Sequence, residues 1–214
     1  MSRTIYFVRH GETEWNKIKR MQGQLDAPLS PEGEAHADGH GRFLATRNIE
    51  AIYASPLGRV QQTVSAIRQH VPIEPVIDDR LKEWHSGDWS GFMYADLPQK
   101  WPEEWAAWEA DRFSYRPPGA ENYPDMIARA DSFMEELLAT QHRTIALVSH
   151  GMIGRCLISH LLKLTPEEIL QVRQKNDVVF AATEEANGTW SSSHFVAGEG
   201  PVEGLPTSMS YPSA

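Results

Sequence analysis

Two short apolar runs, far apart in the chain, each lead directly into a His-Gly pair. Residues 4–11 read TIYFVRHG and residues 144–151 read TIALVSHG, so the two segments match at five of eight positions. Short runs of this kind, apolar on both sides and rich in β-branched and aromatic residues, are typical of strands buried on both faces of a parallel sheet. The sequence therefore predicts two histidines at equivalent ends of two buried strands.

Helical patterns alternate with such strands along the rest of the chain. Ser30-Pro31 opens a helix that reaches about residue 47, and Ser55-Pro56 opens another, to about residue 70, directly after a strand over 51–54. The other predicted elements are strands over 73–77, 178–183 and 194–196, the last two joined by an Asn187-Gly188 turn, and helices over 151–162 and from 165. This order predicts a three-layer α/β/α sandwich with a mostly parallel central sheet and an antiparallel edge.

Two stretches depart from the alternation. Residues 84–123 contain five of the seven tryptophans, together with a helical pattern and a turn-rich segment. We interpret them as a helical, Trp-rich insertion over the active-site end of the sheet, packing locally and able to serve as a lid. Residues 198–214 are rich in Gly, Pro and Ser, so we predict a single α/β domain over 1–197 and a flexible tail after it.

Composition narrows the classes of partner. The formal charge of −9 argues against a general nucleic-acid or anionic-membrane binder, although a local arginine cluster can still hold a small anion. The single cysteine, Cys156, excludes an internal disulfide framework and a two-thiolate metal site. No apolar run is long enough for a membrane helix, and the first residues do not resemble a secretory leader. We therefore expect a cytoplasmic protein whose partner is a small molecule.

Charged and polar residues gather where the predicted strands end. Ligands of an open parallel sheet bind outside the carboxyl ends of its strands. The predicted strand ends, or the turns directly after them, supply Arg9, His10, Arg59, Glu83 and His150. Gly11 and Gly151 follow the two histidines and allow the backbone to turn sharply beside a ligand. Two arginines, two histidines and nearby helix N-termini predict a pocket for phosphate.

The residue types also predict a chemistry. A neutral imidazole attacks phosphorus well, and nearby arginines disfavour the charged imidazolium, which lowers the histidine pKa. A lone carboxylate in the same pocket, Glu83, would act as proton donor or acceptor. This scheme requires neither a metal ion nor a cofactor, and the sequence supplies no pair of carboxylates or His-x-His ligands beside the histidines.

Longer motifs around these residues resemble a known family. Residues 8–16, VRHGETEWN, are similar to the opening motif of the histidine phosphatase superfamily, in the branch that contains cofactor-dependent phosphoglycerate mutases and small phosphatases. The other matching segments are Gln22-Gly23, residues 26–33 (DAPLSPEG), 55–63 (SPLGRVQQT), 81–83 (LKE) with 87–91 (GDWSG), and 149–151 (SHG). Several motifs in the same order over most of the chain make the resemblance specific.

The resemblance implies a role for individual residues. His10 would be the nucleophile and form a phosphohistidine, and Glu83 would protonate the leaving oxygen and then activate water. The implied phosphoryl ligands are Arg9, Arg59 and His150, with Asn16 hydrogen-bonded to the phosphoryl group or substrate and Thr13 and Gln22 at the border of the pocket.

The chain also departs from the family pattern on the expected substrate side. Ser90 replaces a glutamate common in relatives, and residues 117–122 (PPGAEN) differ from the usual Pro-Gly-Gly-Glu-Ser. The stretch between Glu83 and His150 is shorter than in typical mutases of the family, and a shorter lid admits water. We therefore expect a metal-independent phosphomonoester hydrolase acting on a small phosphorylated metabolite.

Two other functions stay open at this point. One is a cofactor-dependent phosphoglycerate mutase, which would move phosphate between hydroxyls and release little of it. The other is a non-catalytic module that binds a phosphate-bearing ligand, although binding alone does not need Glu83 as an acid. The sequence does not name the substrate. The Trp-rich insertion favours one with an apolar or ring component, and a homodimer is possible.

Overall fold

A computed structural model describes residues 2–207 of the chain. The strands are β1 Thr4–Arg9, β2 Ala51–Ala54, β3 Val76–Ile77, β4 Thr144–Ser149, β5 Val178–Glu184, β6 Trp190–Val196 and β7 Glu199–Glu203. The helices are α1 Glu14–Lys17, α2 Pro31–Ala45, α3 Gly58–Arg68, α4 Leu97–Lys100, α5 Pro102–Ala110, α6 Tyr123–Ala139, α7 Gly151–Leu162 and α8 Pro166–Gln171. Short 3-10 turns cover 79–81, 87–89 and 94–96.

The seven strands form one mixed sheet in the order β3-β2-β4-β1-β5-β6-β7. Strands β3, β2, β4 and β1 are parallel to one another, and β5, β6 and β7 add an antiparallel edge. The two strands that precede the histidines are direct neighbours, paired from Thr4 with Thr144 to Arg9 with Ser149. The predicted mostly parallel sheet with an antiparallel edge is confirmed.

Helices cover both faces of the sheet, because its central strands are apolar on both sides. In β1, Ile5 and Phe7 face a core cluster that includes α6 and α7, whereas Tyr6 and Val8 face a second cluster. That second cluster is formed with α2 and α3. This alternation of side chains produces the predicted α/β/α layering.

Several boundaries differ from the predicted ones. The strand predicted over 73–77 shortens to Val76–Ile77, at the sheet edge, where Pro75 ends the pairing. Helix α3 begins at Gly58, and its N-cap residue, Leu57, has no side-chain oxygen to bond the first N–H groups of the helix. Helices α2, α7 and α8 occur where the sequence predicted them, and β5 and β6 form the predicted hairpin, although β6 begins at Trp190 rather than at residue 194.

The prediction of a flexible tail from residue 198 is wrong for its first part. Glu199–Glu203 forms β7, because β6 offers it an unpaired antiparallel edge, and Thr207 pairs with Val172 after α8. Residues 208–214 of the predicted tail lie outside the described residues. Within residues 2–207, no helix is both long and apolar enough to cross a membrane.

Candidate active site

The register of β1 and β4 brings the two predicted histidines together. Arg9, the last residue of β1, pairs with Ser149, the last residue of β4. The residues that follow them, His10 and His150, therefore leave the sheet at the same point. Their ring centroids are 5.2 Å apart. Both rings are almost completely buried, at the carboxyl edge where parallel sheets bind ligands.

Hydrogen bonding determines the tautomer of His10. Its Nδ1 lies 2.7 Å from the carbonyl oxygen of Gly11, and a carbonyl can only accept, so Nδ1 carries the proton. That leaves Nε2 as an unprotonated atom on a residue that lines the cavity. Burial, reinforced by the guanidinium groups of Arg59 and Arg9, holds the pKa of His10 well below its usual range. The ring is therefore neutral near pH 7.

His150 is the better anchored of the two rings. Arg59 Nε donates to its Nδ1 at 3.2 Å, so the proton is on Nε2, which donates to Ser55 Oγ at 2.8 Å. Burial, followed by the charge of Arg59, lowers its pKa well below the usual value. With both nitrogens occupied by protein groups, His150 reaches a phosphoryl oxygen only by giving up one of these bonds.

Arg59 is fully buried and almost completely used by the protein. Its Nη1 donates to Leu25 O and Asp26 Oδ1, at 2.7 and 2.9 Å, and its Nη2 donates to Gly23 O at 2.7 Å. Because Nε is bound to His150, a single N–H on Nη2 is left for a ligand. Asp26 also accepts from the backbone N–H groups of Gly58 and Arg59. The N-terminus of α3, which we expected to face phosphate, is therefore capped by this carboxylate instead.

Arg9 keeps more of its donors free. Its Nη1 donates to Gln174 O at 2.7 Å, while its Nε is buried and has no hydrogen-bond partner among the described residues. Gly151 lies beside it, and a Cβ placed there would be 3.5 Å from the guanidinium carbon. An unpartnered buried donor is costly. Neither Nε nor Nη2 of Arg9 bonds a described residue, so Arg9 keeps most of its donors for a phosphoryl group on the cavity floor. By the cavity floor we mean Arg9, His10, Asn16 and Arg59 with the adjoining His150.

A loop over residues 172–177, between α8 and β5, holds both Arg9 and His10 in place. Besides the Gln174 carbonyl, the Gln174 side chain donates to Phe7 O at 2.8 Å, and Asn176 Nδ2 donates to His10 O at 2.7 Å. The buried His40 on α2 donates through Nε2 to Asn176 O. This bond gives His40, which sits between two glycines of a helix, a structural role that its sequence context did not reveal.

Glu83 lies across the cavity at the N-terminus of α7. Its Oε1 accepts from the backbone N–H groups of Trp84, Met152 and Ile153, at 2.9, 3.2 and 3.1 Å. Its Oε2 has one such contact, with Met152 N. These bonds fix the carboxylate and leave Oε2 the freer oxygen, and they occupy N–H groups of α7 that we expected to bind phosphate.

Arg129 supports Glu83 from behind. It donates to the backbone carbonyls of Arg80, Lys82 and Glu83, and it forms a salt bridge with Glu121 at 2.8 Å. Sequence reasoning did not find this residue, because it lies in the middle of α6, far from any motif.

The residues predicted beside the substrate divide into two groups. Asn16 and Gln22 line the cavity, and the buried Oε1 of Gln22 has no partner among the described residues. Thr13 and Gly11 lie behind that lining. Thr13 caps α1 and bonds Asn16 Oδ1, which leaves the Asn16 Nδ2 for a ligand. Gly11 orients His10 through its carbonyl group.

The cavity formed by these groups has a volume of about 420 Å³, suited to a small metabolite. Its described lining includes six arginines and one acidic residue, Glu83. Four of these arginines were not predicted: Arg20, Arg112, Arg155 and Arg173. Only Arg155 had a usable sequence signal, because it follows Gly151 by four residues on the same helix face.

The Trp-rich insertion forms both a local core and part of the cavity wall. Trp89 is fully buried and packs against Trp84, Trp105 and Trp108, with ring centroids 5.7–6.4 Å apart. Trp84 and Trp108 line the cavity, whereas Trp101 packs on Phe92. In residues 2–207 no group of three or more His, Cys, Asp or Glu side chains could hold a metal ion.

Comparison with known proteins agrees with this geometry. Residues 5–195 match the family model of the histidine phosphatase superfamily, branch 1. Glucosyl-3-phosphoglycerate phosphatase of Mycobacterium tuberculosis is 33% identical over 172 residues, 76% of this chain and 77% of the relative. A 2,3-bisphosphoglycerate-dependent phosphoglycerate mutase of Brucella melitensis is 31% identical over 205 residues, 92% of this chain and all of the relative.

Solved structures share the fold. The crystal structure of a putative α-ribazole-5'-P phosphatase from Escherichia coli superposes with a TM-score of 0.85 at 24% identity, over 94% of this chain and 99% of the other. The match supports the architecture. With the family match over most of the chain and the motifs in place, the chain belongs to branch 1 of the histidine phosphatase superfamily, the family that its motifs resemble.

Proposed function

We propose that the protein is a metal-independent phosphomonoester hydrolase that works through a phosphohistidine at His10. The observation that carries the proposal is the pairing of two groups in one cavity: an unprotonated His10 Nε2 and the Glu83 carboxylate. The first is a nucleophile and the second a proton carrier, and both are needed to exchange one P–O bond for another.

In the first step, His10 Nε2 attacks phosphorus and the bond from phosphorus to the leaving oxygen breaks. Glu83, which enters this step as the carboxylic acid, gives that oxygen its proton through Oε2 and becomes the carboxylate, and the alcohol departs. The free N–H groups of Arg9, the last free N–H of Arg59 and the Asn16 amide stabilise the charge of the phosphoryl group in transit. The neutral state of His10, set by burial and by the two arginines, keeps its lone pair available.

In the second step, water attacks phosphorus and the N–P bond breaks. The Glu83 carboxylate takes a proton from that water, so both His10 and Glu83 return to their starting states and inorganic phosphate leaves. The Glu83 carboxylate is held in place by backbone N–H groups, and this rigidity suits a group that must act at two different oxygens in turn.

A phosphoglycerate mutase is the second candidate, favoured by the identity with the mutase relative over nearly the whole chain. A mutase must keep water from the phosphohistidine. The insertion over 84–123 consists of short helices and turns, and its tryptophans pack mainly against one another. This supports hydrolysis, because a short lid leaves water access to the phosphohistidine.

Phosphate release from a panel of phosphomonoesters, in excess chelator, tests the proposal. We expect release by the wild type and none by His10→Ala, with His142→Ala, an exposed histidine, as the matched control. 3-Phosphoglycerate belongs in the panel, with its 2-isomer measured in the same tubes. Isomer formation without release would favour the mutase, and tight binding without turnover would favour a non-catalytic module.

The remaining predictions concern the surroundings of the enzyme. The named activities of the relatives fit a small phosphorylated metabolite as partner. A cytoplasmic location and a homodimer stay predictions; fractionation of cells and sedimentation of the purified chain test them.

A further inference from the structure

Besides Arg20, which stacks 5.0 Å from the Trp15 ring, three arginines of the cavity lining have no part in the proposed chemistry. Arg112 follows α5, Arg155 lies within α7, and Arg173 lies in the 172–177 loop; together we call them the outer arginine cluster. The phosphoryl ligands named above are all on the cavity floor. The outer arginine cluster therefore needs another explanation.

Arg155 is fixed and partly unsatisfied. It lies one helical turn beyond Gly151, which places its backbone about 6 Å farther along α7 from the floor. Its Nη1 donates to the hydroxyl of Tyr123 at 2.9 Å, but its Nε is buried without a hydrogen-bond partner among the described residues. No carboxylate in residues 2–207 forms a salt bridge with it.

Arg173 is held by the main chain alone. Its Nη1 donates to the carbonyls of Leu170 and Val172, at 2.7 and 3.0 Å, and its backbone N–H donates to Pro206 O. It too has no salt bridge with a carboxylate of residues 2–207. Burial lowers its pKa, and the positive charges of Arg155 and Arg112 lower it further, so the three guanidinium groups repel one another.

This arrangement is unfavourable without an anion. The chain as a whole carries a formal charge of −9, and exposed arginines such as Arg42, Arg68 and Arg116 have acidic partners. In the outer arginine cluster, Arg112 alone has one, a 3.3 Å contact with the exposed Glu109. Three positive charges lie close together here, and only one of them has a carboxylate of the described residues beside it. Such an arrangement indicates a binding site for an anionic group.

We propose that the substrate carries a second anionic group, a carboxylate or a phosphate, which Arg155 and Arg173 bind above the phosphoryl site, with Arg112 at the rim. The proposal rests on the proposed function and narrows its substrate class. Tyr123, bonded to Arg155, orients that guanidinium group.

Matched pairs of phosphomonoesters test it. 3-Phosphoglycerate and glycerol 3-phosphate differ in having a carboxylate or a hydroxymethyl group, and fructose 1,6-bisphosphate and fructose 6-phosphate differ by one phosphate. We expect the wild type to prefer the anionic member of at least one pair by about tenfold or more in kcat/KM. The preferred pair tells whether the second group is a carboxylate or a phosphate. Ratios near one in both pairs would overturn the proposal.

Variants show which residues create the preference. Arg173→Gln and Arg155→Lys should lower the ratio for the preferred pair about tenfold, whereas Arg68→Gln, on the exposed surface, should leave it unchanged. Arg173→Glu should reverse the selection and favour phosphocholine, whose second group is a cation. A merely structural arginine would not reverse the sign, so an unreversed ratio in a folded Arg173→Glu variant contradicts the proposal.

Failure of this inference and of the proposed function are distinguishable. If the wild type hydrolyses p-nitrophenyl phosphate but shows no preference within the pairs, only the second anionic group is wrong. If the wild type hydrolyses none of the probes, the proposed hydrolase is wrong. The same ratios can then be measured as Kd values on the His10→Ala protein by calorimetry, and equal affinities there would also reject the second site.

Discussion

The floor and the wall of the cavity use the same residue type in opposite ways. On the floor, Arg59 is fully buried and gives nearly all its donors to Asp26, His150 and backbone carbonyls. On the wall, Arg155 and Arg173 bind no carboxylate in the described chain. The floor is thus largely completed by the protein itself, with N–H groups of Arg9 left for the phosphoryl group, whereas these two wall arginines, which have no acidic partner among the described residues, are available to a ligand. Chemistry should be sensitive to the first, and selectivity to the second.

The largest effect should come from the nucleophile. His10→Ala removes the attacking Nε2, so we expect phosphate release to fall by at least about 10³-fold. Wild-type protein quenched during turnover should carry one phosphoryl group by intact mass, and the variant none. Substantial release by His10→Ala would show that the floor does not carry the chemistry.

Glu83→Gln should follow, with a loss that depends on the leaving group. The variant can no longer give or take the proton, so kcat/KM for an alkyl phosphate should fall about 10²–10⁴-fold. p-Nitrophenyl phosphate has a good leaving group and should lose much less. Rates of phosphate and nitrophenolate release measure both. Equal losses for the two substrates would reduce Glu83 to a positioning role.

His40, which bonds Asn176 of the 172–177 loop, should make the free energy of unfolding depend on pH. Burial lowers the pKa of His40 to about 4, so as pH falls below about 6.5 the unfolded chain takes up a proton that the folded chain does not. Between pH 7 and 5 this removes about 2 kcal/mol of stability, present at the higher pH.

His40→Gln keeps a donor for Asn176 O and does not titrate. Urea unfolding of both proteins at pH 7 and pH 5 should therefore show a drop about 2 kcal/mol smaller in the variant than in the wild type. The same drop in both would mean that His40 is not the titrating group; His142→Gln, exposed, serves as the matched control.

The smallest effect should come from the aromatic part of the wall. Trp108 lines the cavity and supports Arg112, which stacks 4.7 Å from its ring, so Trp108→Leu should lower kcat/KM about two- to tenfold. Trp101→Leu, from the same insertion but on Phe92, should change it little. A kinetic comparison of the two variants on one substrate separates a role in binding from a role in packing.

The same division explains what could be read from the sequence. The residues of the cavity floor could be predicted from the sequence, because buried strands can be recognised by their apolar residues. Parallel strands then bring the residues at their carboxyl ends together. His10, His150, Arg9 and Arg59 were found in this way, and the family motifs added their roles. Glu83 was predicted as the one carboxylate at the carboxyl edge of the sheet.

The partners of these residues could not be predicted. Asp26, Arg129 and Asn176 reach the floor from a loop, a helix interior and a late connection, and their contacts depend on how those segments pack. The outer arginine cluster was missed for the same reason. β7 was missed because a Gly- and Pro-containing segment looks like a tail unless the free edge of β6 is known.

The position of β4 also governs when, during synthesis, the enzyme can become active. Both β1 and β2 pair with β4, and β1 pairs with β5 on its other side, although β4 and β5 belong to the last third of the chain. A nascent chain that has not yet released β4 from the ribosome has no partner for its first strand and no second histidine. The catalytic floor is thus built mainly from contacts between distant parts of the sequence, which slows folding and makes enzymatic activity a reporter of a chain in which β4 and β5 have paired with β1.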